Sequence, residues 1–469
     1  MASIIKVSEI LHPTSNVPSL TINSDSTVSF DAGILSVTGP INGVIGANTP
    51  YSGTFTDLSY SGTLTGNTGI INIGSGQFYK DVNGQIGIGT SSPTEKLDVS
   101  GNVKVSGSLS VAGNNISSQT GFKNRIINGA MTIDQRNAGA SITFNDAVFV
   151  VDRFGSACSQ TSKATAQQST TAPVGFINSI QITSSSAYSV LAGDFFNLYQ
   201  NIEGLNVFDF GWGTANAQPI TISFWVRSSL TGTFGGSISN SGLSRSYPFT
   251  YTISAANTYE YKTVTIPGDT SGTWLTTNGI GLRVYFGLGV GTTYSGTAGA
   301  WAATRYQSAT GATSVVGTSG ATFYITGVQL EKGSTATPFE FRSIGQELGL
   351  CQRYFEKSYL QSVVPGVVTT QGLRVANLGS PTIGNSAGFF VGSVFGVTKR
   401  AAPTVTIYSY QGNSGRMSTG AGIGIELAAG TGTASAISQN SFAVDNLSGT
   451  QATITDNAIV FHFTASAEL

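Results

Sequence analysis

The chain has 469 residues with a formal net charge of −1, and charged side chains make up 10% of it, against roughly 25% in an ordinary soluble protein. That balance excludes nucleic acid as an expected partner, because phosphate binding needs a clustered basic excess. A hydrophobic fraction of 40% with 26 phenylalanines excludes disorder, and 60 glycines among many Ser, Thr and Asn point to short, turn-rich strands in an all-β fold.

Length alone allows about three domains. No apolar run approaches the ~20 residues of a membrane span, so no membrane insertion is expected. The opening MASIIKVSEILHPTSN lacks a basic stretch followed by an apolar core, and no secretory signal is read there. The expectation is assembly in a cytoplasm and release by lysis. Cys158 and Cys351 lie far apart, form no disulfide or metal motif, and are read as buried free thiols.

Residues 1–45 place Ile4, Val7 and Ile10, then the alternating pairs Leu20/Ile22 and Val28/Phe30, along a stretch broken by Pro13 and Pro18. They are read as a small module gripped by another assembly. Residues 46–120 have a shaft-like texture. YSGTFT at 51–56 recurs as YSGTLT at 60–65, each with Gly third, as suits units that cannot bury a face alone. Pro93 and its polar neighbours then separate IGIG from the run LDVSGNVKVSGSLSVAG. In that run Leu97, Val99, Val103, Val105, Leu109 and Val111 share one face of an extended chain, with Gly101, Gly107 and Gly113 six residues apart on the same face. With no turn signal the strand is not expected to fold back on itself. An isolated strand is unstable in water, so the stripe is expected to pair with strands of identical copies.

From Gly121 to Ile344 aromatic-rich strands alternate with Gly/Ser/Thr turns over a length that suits one large β-sandwich. In QPITISFWVRSS, Ile220, Ile222, Phe224 and Val226 share one face, and Thr221, Ser223, Trp225 and Arg227 the other. YEYKTVTI and LRVYFGLGV alternate likewise, the latter with Val284, Phe286 and Leu288 inward and Arg283 and Tyr285 outward. FYITGVQLEKG changes phase at Gly327, which predicts a bulge. IGQELGLCQRYFEKS sets Leu348, Cys351 and Phe355 at helical spacing and predicts a short linker helix. Beyond it, VTKRAAPTVTIYSYQG and AIVFHFTASAEL return to β texture and predict a second, smaller sandwich within residues 345–469.

Several segments carry a resemblance. MASIIKVSEIL, IGIGTSSPTEKLDVSGNVKVSGSLSV, NRIINGAMTIDQRNAG, VDRF, ITGVQLEKGSTATPFEFRSIGQELGLCQRYFEKS and FHFTASAEL resemble phage tail-fibre proteins over most of the chain. The central FNLYQNIEGLNV, ITISFWVRS and ITGVQLEKG strands are similar to carbohydrate-binding jelly rolls fused into such fibres. The resemblance implies an elongated homotrimeric fibre: an N-terminal virion-attachment module (1–45), an intertwined β-shaft (46–120), a jelly-roll β-sandwich (121–344), and a linker helix with a C-terminal β-sandwich (345–469). It also implies a trimer core of Leu97, Val99, Val103, Val105, Leu109 and Val111. The implied partners are tail or baseplate proteins at the N-terminal module and a glycan of the host surface. Fibres with the GIGTSSPTEKLDV segment often end in a self-cleaving helical chaperone, and nothing comparable follows residue 358 here.

Enzymatic chemistry finds little support. The two histidines, His12 and His462, lie in an N-terminal module and a terminal strand, so neither reads as part of a triad. A glycosidase needs two carboxylates about 5–9 Å apart across a cleft. The candidates Asp194, Glu203, Asp209, Glu260, Asp269, Glu331 and Glu340 mostly fall at strand ends, where carboxylates orient loops. No metal or cofactor is expected, since no His/Cys cluster or calcium-loop spacing occurs. By resemblance alone, a structural calcium near Glu331 or Glu340 stays open.

The candidate binding residues are the outward aromatics and their cationic neighbours, Trp225, Arg227, Arg283 and Tyr285, with Trp274 and Trp301 in Gly/Thr-rich loops. Aromatic faces stack on sugar C–H surfaces while adjacent donors fix orientation. Trp, Tyr and Arg are equally the residues of protein interfaces, so packing against a neighbouring subunit or the second sandwich remains open. The expected function is a non-enzymatic phage tail fibre that attaches the virion to surface polysaccharide. The alternatives are a purely structural collar or baseplate fibre and a capsule-depolymerising tailspike.

Overall fold

The computed structural model describes residues 77–101, 122–377, 390–420, 432–445 and 458–469 without a break, with short strand segments and single residues between them. Residues 1–106 and 107–469 form separate compact units. His12, the YSGT repeats and most of residues 1–70 lie outside the described residues.

In the first unit, Ile71–Ile73, Phe78–Lys80, Ile86–Ile88 and Leu97–Val99 form a small sheet. The long run from Leu97 is not one strand. Leu97–Val99 runs parallel to Ile86–Ile88, the backbone breaks at Gly101 (φ +149°), and Leu109–Val111 folds back on Asn114–Ile116. This fold-back corrects the expectation that the run lacks a turn; Gly113–Asn114 is a turn-compatible dipeptide whose weight the alternation hid. Leu97 (59% exposed), Val103 (67%) and Val105 (45%) lie open in the single chain, and Val99 is half-buried.

The second unit, which begins at Gly107 and so includes the Leu109–Ile116 hairpin, contains a two-sheet antiparallel sandwich. One sheet orders Ile142–Thr143, Ala164–Ser169, Ser179–Ser184, Thr322–Lys332, Ile220–Ser228 and Glu260–Ile266. The other orders Val148–Val151, Phe154–Cys158, Phe195–Glu203, Ile280–Val290, Gly232–Ser239 and Ser246–Ile253. We call them the Trp225 sheet and the Tyr285 sheet. Alternation decides the layering: Ile220, Ile222, Phe224 and Val226 meet Leu282, Val284, Phe286 and Leu288 in one dry core. Phe224 packs edge-on against Phe286 at 5.1 Å. At Gly327 (φ +62°) the strand Thr322–Lys332 slips register against Ile220–Ser228, which is the expected bulge.

The helix Ile344–Gln352 is capped by Ser343, whose hydroxyl accepts from the Gln346 amide at 3.4 Å. Cys351 on the helix and Tyr354 just beyond it are buried against Ile127 and Ile133 of the sandwich. Phe355, expected on the helix, begins the strand Phe355–Lys357, because the helix stops at Gln352. Both cysteines are free and buried, and burial pushes the Cys158 thiol up to about 11.

The C-terminal module has its own core of Phe395, Ile407, Met417, Phe442, Ile459, Phe461 and Phe463. Its central strand is Ala458–Ser466, which pairs with Phe355–Lys357, Arg374–Asn377, Thr404–Tyr408 and Ser418–Thr419. His462 sits on that strand, fully buried and stacked on Tyr359 at 3.9 Å. Its Nε2 lies 3.0 Å from the Thr369 carbonyl, so Nε2 carries the proton and Nδ1 accepts from the Ser358 hydroxyl at 3.1 Å. Burial holds its pKa below the ordinary 6.5, against the Thr369 bond. The neutral ring therefore contributes stability that is full above pH 6.5 and is lost as pH falls through the folded-state value. His462→Gln is expected to flatten the acid limb of the stability curve below pH 6.5 in urea titrations. An unchanged slope there would show that other groups set it.

Candidate functional site

The outer face of the Trp225 sheet carries the open aromatic surface of the sandwich. Register places Trp225 between Thr326 on one neighbouring strand and Tyr261 on the other, and places Arg227 beside Tyr324. Trp225 and Tyr261 stand 5.4 Å apart at 49°, with Tyr261 44% exposed and Trp225 half-buried. The Arg227 guanidinium lies over Tyr324 at 4.9 Å. Gly327 shapes this surface: a β-carbon there would stand 2.7 Å from Phe176 and 3.0 Å from Trp225. Phe176 thus flanks Trp225, packs on Phe339 and Phe341, and lines a cavity of about 360 Å³ with Arg342 and Glu347.

Hydrogen bonding separates Trp225 from the other tryptophans. Trp212, Trp274 and Trp301 pack edge to face at 4.6, 5.3 and 5.7 Å in a loop cluster at the margin of the core. Their indole N–H groups donate to the carbonyls of Gln218 (2.7 Å), Ser271 (3.2 Å) and Pro267 (3.0 Å). Asp269 locks the cluster, taking both arms of Arg245 at 2.6 and 2.8 Å. The Trp225 N–H, by contrast, has no acceptor among the described residues. Trp274 and Trp301 are built into the fold; Trp225 faces outward with its donor available.

Arg283 and Tyr285 lie on the outer face of the opposite sheet. Tyr285 is 4% exposed beside Tyr199, whose hydroxyl burial pushes up to about 12. The chain's last residues sit on this face: the Asn201 side-chain amide donates to the Leu469 carbonyl at 2.8 Å, and Glu468 pairs with Arg153. Next to them Glu203 accepts from Arg353 at 2.6 and 2.9 Å and from the Tyr354 hydroxyl at 2.7 Å. Burial raises the Glu203 pKa, but these bonds outweigh it and leave the carboxyl below its usual range. The structure therefore does not gather the six residues: Trp225 and Arg227 share one face, Arg283 and Tyr285 the opposite one, and Trp274 and Trp301 a loop cluster.

The carboxylates singled out for catalysis are held in local bonds. Asp194 accepts from Tyr188, Ser159 and the Leu191 amide, and Asp209 pairs with Arg125. Glu260 accepts from the Ser254 and Ala255 amides and from Lys262. Glu331 takes the Thr337 amide and hydroxyl and the Gln329 amide, while Glu340 takes the Asn124 amide and Arg342. The positions left open for calcium are thus filled by protein donors. Among the described residues no group of three or more His, Cys, Asp or Glu could hold a metal ion, and no helix is long and apolar enough to cross a membrane.

Tyr261, Tyr324 and Thr326 complete the Trp225 surface and were not singled out from the sequence. The signal existed for Tyr261: in YEYKTVTI it alternates against Val264 and Ile266. Its adjacency to Trp225 needs the strand order, which alternation does not contain.

No protein-family model and no curated protein matches this chain. Among solved structures it is similar to the enzymatically active domain of tailspike protein 4 of bacteriophage CBA120, at 12% identity, over 45% of this chain and 21% of that one, with a TM-score of 0.24. It is similar to a family 11 carbohydrate-binding module of Clostridium thermocellum in complex with a β-1,3-1,4-mixed-linked tetrasaccharide (13% identity, 42% and 98% covered, TM-score 0.22). A putative sugar binding protein from Bacteroides thetaiotaomicron matches at 10% identity, over 45% and 100% of the two chains, with a TM-score of 0.25. At such scores the functional reading rests on the residues of the site.

Proposed function

We propose that this chain is a phage tail fibre whose sandwich binds host surface polysaccharide without cleaving it, through the Trp225–Tyr261 platform. The observation that carries this reading is the pairing of an exposed phenol with the one indole whose N–H has no protein acceptor among the described residues. Stacking on a sugar ring uses the aromatic faces, and the free donors orient it. The engaged carboxylates support a binding role rather than hydrolysis. The sequence resemblance supports the rest: a homotrimer, assembled in the host cytoplasm and held to other virion proteins by its N-terminal module, with multivalent sites of modest affinity.

The test is a calorimetric titration of the full chain with host surface polysaccharide, beside light scattering. Trp225→Ala is expected to weaken binding about tenfold or more with the oligomer intact. Unchanged binding would overturn the platform, and dissociation of the oligomer would make Trp225 an interface residue. A purely structural fibre is the second reading. The exposed Val174, Ile177, Phe341 and Ile344 around Phe176 favour a protein contact there, and a wild-type chain that binds no host glycan would establish it.

A further inference from the structure

We propose that the Trp225 platform selects an acidic sugar, one carrying a carboxylate or another fixed negative charge, with Arg227 as the residue that reads it. The proposal rests on the glycan-binding reading above and names the chemical class of its ligand.

The ground is the state of Arg227 compared with the other arginines of the sandwich. Arg125, Arg136, Arg153 and Arg245 are each paired with a carboxylate. Arg283 reaches the oxygens of Asn201 and Ser241, and Arg305 reaches Gln307. Arg227 has neither a carboxylate nor a hydrogen-bond acceptor among the described residues. Its Nε is buried without a partner, as are those of Arg125, Arg153 and Arg283, but those three have other contacts to oxygen through their terminal nitrogens. Its described neighbours are aromatic: the face of Tyr324, and Tyr259, which packs on Tyr324 and spends its hydroxyl on the Thr171 carbonyl. A half-buried guanidinium has lost part of its hydration, and a ring face returns less than an oxyanion would.

Among the described residues the surroundings offer no internal counter-ion. Across the sheet from Arg227 the face presents Tyr324 and then Gln181, and along its own strand Trp225 and Ser223. The acidic group on this face, Glu331, pairs opposite Thr221, about 20 Å along the strand at the usual rise per residue. It is buried and already accepts from Gln329 and Thr337. Glu260, on the edge strand, is turned to Lys262 and the Ser254 and Ala255 amides. A neutral sugar would offer the Arg227 fork only uncharged hydroxyl oxygens, which return less to a partly desolvated cation than an oxyanion does. A carboxylated sugar stacked on Trp225 and Tyr261 would supply two oxygens to it in the planar geometry guanidinium favours. Beside Trp225, the Thr326 hydroxyl is buried without a partner and marks the same strand position as polar.

The experiment is a glycan array of bacterial surface polysaccharides, each acidic glycan printed beside its carboxyl-reduced form and each phosphorylated glycan beside its phosphatase-treated form. The full chain is applied as wild type, Arg227→Gln, Arg227→Lys and Trp225→Ala. Wild type is expected to retain the acidic members and to lose roughly tenfold or more when the charge is removed, with binding weakened by salt. The reduction arm identifies a carboxylate and the phosphatase arm a phosphate. Arg227→Gln is expected to erase the difference between charged and neutral forms, and Arg227→Lys to keep part of it. Equal binding of charged and neutral forms by wild type would overturn the proposal. So would an Arg227→Gln loss that is the same for both. In either case, a Trp225→Ala variant that still loses all binding shows that the platform reading survives. Wild type that retains nothing overturns both readings.

Discussion

Replacing Lys399 by Met is expected to cost the C-terminal module about 3–5 kcal/mol, the scale of breaking a buried ion pair by removing one partner. Lys399 is fully buried, and its three ammonium donors are all used: on Glu356 at 2.5 Å, on the Gln352 carbonyl at 2.6 Å and on the Val397 carbonyl at 2.9 Å. Burial lowers its pKa, and Glu356 works against that shift. Methionine would leave a buried carboxylate with the Gly396 amide and strand two carbonyls. Amide exchange in Ala458–Ser466 is the measurement, since the four tryptophans all lie in the larger sandwich and do not report on this module. The double variant with Glu356→Gln should recover part of the loss, because the uncompensated charge goes with it. A loss below about 1 kcal/mol for Lys399→Met would show that the pair does little beyond filling space.

Val105→Asp is expected to abolish assembly. Leu97, Val103 and Val105 are open apolar groups in the single chain, and the proposed trimer would cover them with two further copies. Aspartate at that position would bring three carboxylates together in a dry seam, a cost that assembly could not offset. Sedimentation should then find a species of 48.4 kDa, the mass of one chain, where the wild type is expected to sediment as a trimer. A variant that assembles like the wild type would show that the stripe is not the seam. A wild type that is itself a stable 48.4 kDa species would remove the trimer altogether.

How much of this was legible beforehand depends on the range of the interaction. Alternation placed Ile220 to Arg227 and Leu282 to Leu288 on their faces, and the phase change at Gly327 marked the bulge, because both are properties of one strand. It could not say that Trp225 and Tyr285 belong to opposite sheets, nor that Tyr261 is the neighbour of Trp225; strand order is set by packing between distant segments. Trp274 and Trp301 looked available because their loops are Gly-rich. The structure engages them through Trp212 and backbone carbonyls that no spacing reveals. The continuous strand from Leu97 failed for a related reason: a regular alternation outweighed a weak turn dipeptide, although pairing with a nearby strand was the easier way to satisfy the backbone.

The strand Ala458–Ser466 has a consequence for the order in which the molecule can be made. The four strands that pair with it lie between residues 355 and 419, so each must be synthesised before its partner exists. Phe395, Ile407 and Met417 have Phe461 and Phe463 as core companions, and these too arrive late. During translation the larger sandwich can close on its own strands while this module waits with an apolar surface uncovered, and its non-local pairings make the final step slow. A ribosome stalled shortly before residue 458 should therefore carry a folded, protease-resistant sandwich followed by a protease-sensitive tail.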